Sequence, residues 1–276
     1  MRAEQYKLFQ FLKIVILTFV FLTVIVSQGN AQDTLQGKKF TDYNFFRFTH
    51  ETGLFFVQPV KWKGADWIRF SVIAILTVSI IQVDEDVRKL ALDNPKYVNT
   101  VPMEIGNQWG GFFLVPISAV ALLTHGTLSD NNTTKKLGFE IAQAALYSET
   151  ISFISKGCIG RSRPFTNRGS NDYKPFTFFD SPQNSFPAGH VDAAFALSTV
   201  LAKNTDSGWL KVASYIPAGL TVVSRIYQDE HWASDVFLGG AIGYFVGNWV
   251  VNLHDQKEST IELTSVFPLQ IKIALN

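Results

Sequence analysis

The feature that most constrains the fold is a series of apolar segments between Trp67 and Leu253, separated by short polar breaks. The lengths of these segments suit helices better than strands. The sequence therefore predicts an all-α protein built from about six helices. The segments are Ile68–Val83, Ile105–Thr127, Leu137–Ser155, His190–Ala202, Leu210–Ser224 and Val236–Leu253.

The composition indicates a protein close to a membrane or inside one. Charged residues make up 17% of the chain, against roughly 25% in soluble domains. Ile105–Ser129 and Val236–Leu253 carry no charged residue over 25 and 18 positions, so either could span a bilayer. A buried bundle would suit the other segments equally well. The net charge of +1, without a basic stripe, argues against a nucleic-acid partner.

The N-terminus indicates export. Residues 1–31 combine a basic start, an apolar run from Ile14 to Val26 and a small-x-small site at Gly29-Asn30-Ala31, as in a secretory signal peptide. An uncleaved N-terminal anchor is the alternative. We predict an irregular segment with a short helix at 32–65, a helical domain at 66–255 and a short extended C-terminal tail at 256–276. The acidic run at residues 84–86 is interpreted as a solvated connection.

The first of three motifs that carry chemistry runs from Lys156 to Arg163-Pro164. The two cations are seven residues apart, so both could project from one helix face. Pro164 should end the helix and let the guanidinium turn inward. A lysine with an arginine fork suits a phosphate dianion. Alone, the motif would fit a basic helix end better.

The second motif is Ser185-Phe-Pro-Ala-Gly189-His190, a tight turn that leads into a helix-forming stretch. The amides at a helix N-terminus favour an anion, and Gly189 allows close approach of the backbone. His190 would stand beside the anion as a proton donor. The alternative is a turn with a half-buried histidine. Asp192 would complement the helix dipole or orient His190.

The third motif runs from Ser224-Arg225 to His231-Trp-Ala-Ser-Asp235. His231 and Asp235 are four residues apart, so on a helix the carboxylate can reach one imidazole nitrogen and leave the other basic. Arg225 adds a further guanidinium. The alternative is a capped helix with a surface pair. Chance does not explain three such motifs in order.

Together the motifs closely resemble the signature of the type 2 phosphatidic acid phosphatase superfamily, which includes class A acid phosphatases and vanadium haloperoxidases. The resemblance covers Leu137 to Val251 and implies an antiparallel helical bundle that needs no metal and no cofactor. It implies that His231 is the nucleophile, His190 the general acid and Asp235 the orienting partner. It further implies that phosphate is held by Lys156, Arg163, Arg225 and Gly189.

The sequence departs from this signature at Ala188, where the family has a serine that would donate to phosphate. We expect weaker phosphate binding but retained activity. The expected function is hydrolysis of a phosphate monoester or pyrophosphate on a lipid or polyprenyl carrier, at the periplasmic face of a bacterial inner membrane. The alternatives are a soluble periplasmic acid phosphatase, a vanadate-dependent haloperoxidase and a phosphate-binding module without turnover.

Overall fold

The computed structural model describes residues 43–111 and 113–256, and over these ranges the protein is all-α, as predicted. The only β-type pairing among them is an isolated bridge between Arg161 and Tyr173. The α-helices are α1 (Phe45–Phe56), α2 (Gly64–Ile81), α3 (Asp84–Leu92), α4 (Val101–Trp109), α5 (Leu114–Leu128), α6 (Asn132–Ile159), α7 (Gly189–Lys203), α8 (Gly208–Ala213), α9 (Ile216–Tyr227) and α10 (Ala233–Gln256). Short 3-10 helices lie at Gln58–Lys61, Pro95–Tyr97, Pro164–Thr166 and Ser181–Gln183.

The chain divides into two compact units, and residues 43–61 and 179–181 belong to the smaller one. Here α1 begins at Asn44, whose side chain accepts from the Arg47 amide at 3.0 Å. Arg47 and Glu51, one helical turn apart, form a buried ion pair at 2.9 Å. The predicted signal peptide or anchor at 1–31 lies outside the described residues. So does the predicted tail, apart from its first residue, which ends α10.

The larger unit is built around α6, α7 and α10. Ser152 on α6 donates to Asp192 at the start of α7, while Asn204 just after α7 donates to Glu140 near the start of α6 at 2.6 Å. His254, near the end of α10, contacts the same Glu140 at 3.0 Å. Hence α6 runs antiparallel to both α7 and α10, and the starts of α7 and α10 lie at the same end of the bundle.

Glycines on α10 allow it to pack closely against α7. A Cβ atom at Gly239 would lie 2.6 Å from the backbone oxygen of Ala188, and one at Gly243 would clash with the backbone oxygen of Asp192. Both glycines face α7, because residues four apart share a helix face. This contact holds the beginnings of the two helices next to each other.

Within residues 43–111 and 113–256, two helices are long and apolar enough to cross a membrane, α2 and the part of α10 from Ala233 to Asp255. The second helix confirms the prediction that Val236–Leu253 is long and apolar enough to span a bilayer. The other predicted segment, Ile105–Thr127, passes the same test only as a bent pair of helices taken together, which corrects the expectation of one continuous helix. It forms α4 and α5, which are bent by 58° relative to each other. α4 ends before Gly110, where a side chain would clash with the backbone oxygen of His190.

Candidate active site

The first motif lies at the end of α6 and in the extended chain that follows. α6 ends at Ile159, because Gly160 takes the left-handed conformation (φ 60°) that terminates helices. Arg163 is extended before Pro164, as expected, but it does not share a helix face with Lys156, which corrects the spacing argument. Nζ of Lys156 donates to the backbone oxygen of Pro187, in the second motif.

Arg163 points toward the third motif. Its Nη1 atom forms an ion pair with Oε2 of Glu230 at 2.5 Å, one residue before His231. Glu230 is itself partly exposed. The chain reversal after α6 therefore brings a guanidinium beside the predicted nucleophile.

The second motif forms the beginning of α7. Gly189 and His190 are the first two residues of the helix, after Ala188 at the N-cap position. Ala188 is fully buried in an apolar cluster with Val191 and Val236, and its amide donates to the backbone oxygen of Asp235 at 3.0 Å. The backbone of the second motif is therefore bonded directly to the third.

A carboxylate lies beside Gly189. A Cβ atom at this position would lie 3.3 Å from Oε1 and 3.5 Å from Oε2 of Glu149 on α6. Glycine at 189 thus leaves room for this carboxylate at the N-terminus of α7. The sequence showed Glu149 only as a charge within an apolar segment.

Arg225 lies on α9 and is almost fully buried. Its Nη2 atom donates to Asn107 on α4 and to Gln228. Burial lowers the pKa of Arg225 to about 10, and nearby Glu230 partly offsets this change. The side chain therefore remains a cation at neutral pH. Asn107 is a contact that the sequence did not indicate.

His231 is buried in the turn that precedes α10, two residues before the helix begins. The argument that His231 and Asp235 lie on one helix is therefore corrected, although the two side chains do meet. Nδ1 of His231 lies 3.7 Å from Oδ2 of Asp235, which is longer than a hydrogen bond.

The environment of His231 favours a neutral imidazole. Burial lowers its pKa well below the ordinary value, and the positive charges of Arg163, Lys156 and Arg225 lower it further. A hydrogen bond with the backbone of Ser185 acts in the opposite direction. Because these three cations all act on one ring, the first and third motifs converge on His231.

Asp235 is fully buried and is held by four donors. Oδ2 accepts from the Trp232 amide at 2.9 Å and from the Ser185 hydroxyl. Oδ1 accepts from Nη1 of Arg161 at 2.7 Å, and the backbone oxygen accepts from Ala188 as described above. The carboxylate therefore stands in a fixed position beside the imidazole.

Arg161 connects Asp235 to Asp84. The sequence did not indicate a role for either Arg161 or Asp84. Nη2 of Arg161 donates to Oδ2 of Asp84 at 2.7 Å, and all three charged side chains are fully buried. Although burial opposes it, the charges of the two carboxylates raise the pKa of Arg161. Asp84 is therefore not part of a solvated connection, which corrects the interpretation of residues 84–86.

Burial raises the pKa of Asp84, and hydrogen bonds from Ser234 and Arg161 oppose that change. The Ser234 amide donates to Oδ1 at 2.8 Å and its hydroxyl to Oδ2 at 2.6 Å. With Arg161, three donors face this carboxylate, which is the arrangement an ionised carboxylate requires. No local pattern could have shown this, because Asp84 is 150 residues before Ser234.

Asp192 is fully buried in the first turn of α7. It accepts a hydrogen bond from Ser152, so it joins α7 to α6. The sequence suggested two roles for Asp192, complementing the helix dipole and orienting His190. The bond to Ser152 is compatible with both, but the sequence did not predict it. His190 itself is half-buried next to Gly189.

The structure thus gathers the predicted site residues at the end of the larger unit where α7 and α10 begin. A buried neutral imidazole stands among three cations, with a fixed carboxylate behind it and a helix N-terminus nearby. Such a site can attract a dianion by charge and present an uncharged nitrogen to it. The described residues contain no group of three or more His, Cys, Asp or Glu side chains suited to hold a metal ion.

Two curated proteins resemble parts of this chain. Lipid A 1-phosphatase of Porphyromonas gingivalis is 44% identical over 75 residues, which cover 25% of this chain and 17% of that protein. Undecaprenyl-diphosphatase of Sulfolobus acidocaldarius is 28% identical over 151 residues, which cover 53% of this chain and 64% of that protein. The chain therefore spans less than two thirds of the length of either relative.

Among solved structures, LpxE of Aquifex aeolicus matches with a TM-score of 0.45 and 20% sequence identity. The match covers 62% of this chain and 95% of the other. A family comparison matches residues 138–259, a range that holds all seven predicted site residues. The family matched over this range is the PAP2 superfamily, the group whose signature the three motifs resemble.

Proposed function

We propose that this protein is a phosphatase that removes phosphate from a lipid or polyprenyl carrier through a phosphohistidine at His231. The observation that carries the proposal is the position of His231: the ring is buried, its Nδ1 atom lies 3.7 Å from Oδ2 of Asp235, and burial and the charges of Lys156, Arg163 and Arg225 lower its pKa. A neutral nitrogen can attack phosphorus, and three cations can neutralise the phosphate oxygens around it.

In the first step Nε2 of His231 forms a bond to phosphorus, and the bond from phosphorus to the leaving oxygen breaks. His190 gives a proton to that oxygen, so the alcohol or phosphate leaves neutral or less charged. The imidazole becomes cationic as the P–N bond forms, and Asp235 stabilises this charge from the Nδ1 side.

In the second step water attacks the phosphorus of phosphohistidine, and its proton passes to His190, which is now the base. The P–N bond breaks, inorganic phosphate leaves, and His231 returns to its neutral state. Side chains supply the positive charge for both steps, so we propose that the reaction needs no metal ion. Arg163 would exchange its contact with Glu230 for a phosphate oxygen.

The lipid part of the proposal rests on apolar surface and on the relatives. α2 presents exposed side chains that include Trp67, Ile68, Phe70, Ile75 and Val78, which suits contact with acyl chains. The two curated relatives are named for lipid A and for undecaprenyl diphosphate. We place the site at the periplasmic face of a bacterial inner membrane.

A phosphate-release panel tests this function. The purified protein in detergent would be offered phosphatidate, phosphatidylglycerol phosphate, undecaprenyl diphosphate, lipid A and a chromogenic aryl phosphate. We expect release from at least one lipid with a kcat/KM well above that for the aryl ester. A higher kcat/KM for the soluble ester than for every lipid would contradict the lipid assignment but leave the chemistry in place.

A further inference from the structure

Asp84, Arg161 and Asp235 form a buried charged group that extends outside the region of family resemblance. Asp84, the first residue of α3, lies before residue 138, where the family match begins. It nevertheless accepts hydrogen bonds from Ser234, next to Asp235, and from Arg161. A residue outside the three motifs thus contacts the residues that surround Asp235, the predicted partner of His231.

The charges in this group do not cancel. Arg161 carries one positive charge and lies 2.7 Å from a carboxylate oxygen of Asp84 and of Asp235. If Asp235 were its only acidic partner, the guanidinium would neutralise that carboxylate almost fully. With Asp84 present, the group of three side chains keeps one net negative charge next to His231.

That negative charge matters because three cations act on the imidazole. Lys156, Arg163 and Arg225 all act on His231. They favour the approach of phosphate, but they oppose the positive charge that appears on the ring when the P–N bond forms. Among the groups named around the ring, the carboxylate of Asp235 stabilises this charge.

We propose that Asp84 is a positioning residue for phosphoryl transfer, which fixes Asp235 through Arg161 and Ser234 and preserves its negative charge toward His231. This inference rests on the proposed function of His231 as nucleophile. Asp84 touches neither the substrate nor the reacting atoms. It acts through Arg161, which donates to the Asp235 carboxylate, and through Ser234, which precedes Asp235 in the chain.

The test compares Asp84→Asn with Asp86→Asn, which changes an exposed carboxylate in the same first turn of α3. We expect Asp84→Asn to lower kcat roughly 10- to 100-fold with KM within about threefold of wild type. Rapid-quench measurement should show the same loss in the rate of phosphoenzyme formation. Asp86→Asn should stay within about twofold of wild type in each quantity.

A second readout does not depend on turnover. Wild-type protein labelled with ¹⁵N-histidine should show His231 with its proton on Nδ1, facing Asp235. Asp84→Asn should give a mixture of the two tautomers, while Asp86→Asn should resemble wild type. The chain has five histidines, so the spectrum can be assigned by single substitutions.

If Asp84→Asn does not fold, Ser234→Ala decides the question. This variant removes the hydroxyl that bonds Asp84 and Arg161 but keeps all three charges. We then expect a roughly fivefold loss in kcat and a partial change of tautomer. Unchanged phosphoenzyme rate and tautomer in the folded variant would overturn the proposal. A wild-type protein that forms no phosphoenzyme would instead refute the proposed function, and the tautomer would still report on Asp84.

Discussion

Oδ2 of Asp235 lies 3.7 Å from Nδ1 of His231, while it accepts hydrogen bonds from the Trp232 amide and the Ser185 hydroxyl. The carboxylate is therefore fixed by residues other than the histidine it serves. The proposed orienting group is thus held in place independently of the proposed nucleophile.

The first prediction concerns the nucleophile. His231→Ala should abolish phosphate release, because the imidazole of His231 carries the nitrogen that is proposed to attack phosphorus. Rapid quench of the wild type should trap a phosphoenzyme that is labile in acid and stable in base, with the phosphoryl group on His231. His125→Ala, which changes an exposed histidine on α5, serves as the control and should leave activity intact. Activity of His231→Ala within tenfold of wild type would exclude this mechanism.

The second prediction concerns pH. Burial and the nearby cations hold the pKa of His231 well below its ordinary value. The ring should therefore remain neutral and nucleophilic at about pH 5.5, where a free histidine with a pKa near 6.5 is mostly protonated. Titration by ¹⁵N NMR measures this directly and avoids the ionisation of the substrate phosphate near pH 6. A midpoint at or above about 6.5 would contradict the electrostatic description of the site.

The third prediction concerns metal ions. Phosphate release should continue after treatment with EDTA, because cationic side chains are proposed to hold the phosphate. Vanadate should inhibit the enzyme, because it can adopt the five-coordinate geometry of the attacked phosphorus. Initial rates of phosphate release from one active substrate, measured with EDTA and with vanadate, test both expectations. Loss of activity with EDTA that magnesium or zinc restores would contradict a metal-independent reaction.

The fourth prediction concerns Ala188, where the family signature has serine. Ala188→Ser should add a hydroxyl donor at the start of α7 and raise kcat/KM about tenfold, with stronger inhibition by vanadate. Ala188 is also buried with Val191 and Val236, so the hydroxyl should lower the thermal midpoint of unfolding. A lower midpoint without any gain in kcat/KM or in vanadate affinity would mean that position 188 faces only the apolar cluster.

The fifth prediction concerns Glu149, whose carboxylate lies beside Gly189. A negative charge close to the proposed phosphate position should weaken anion binding. Glu149→Gln should therefore lower the inhibition constant of inorganic phosphate roughly tenfold. Asp206→Asn, an exposed acidic residue beyond the opposite end of α7, is the control and should have no effect. An unchanged inhibition constant in Glu149→Gln would place the phosphate away from Gly189.

Much of the fold and the site could be predicted because the relevant signals are local. Long apolar segments predicted helices, and Gly160 and Pro164 lie where α6 ends and the chain turns extended. The turn at residues 185–188 predicted that a helix begins next to it, and α7 begins at Gly189. In each case residues close in sequence determine the conformation.

The remaining features depend on contacts between distant parts of the chain. Nothing near Asp84 shows that it is buried against Arg161, so its acidic neighbours suggested a solvated segment. The bend after α4 accompanies the tight contact of Gly110 with the backbone of His190. A spacing of four placed His231 and Asp235 on one helix, whereas the helix begins between them. Packing between distant segments determines the burial of Asp84, the bend after α4 and the start of α10, and a local sequence pattern carries no information about such packing.

The position of Asp84 has a consequence for anyone who would shorten this protein. A fragment trimmed to residues 138–259 would retain every residue of the signature but would lose Asp84 and Asn107. Arg161 would then have one acidic partner in place of two, and Arg225 would lose an acceptor. Grafting the signature region onto another scaffold would transfer the proposed reactive groups without two of the side chains that bond the arginines around them. The smallest active fragment should therefore begin before α3.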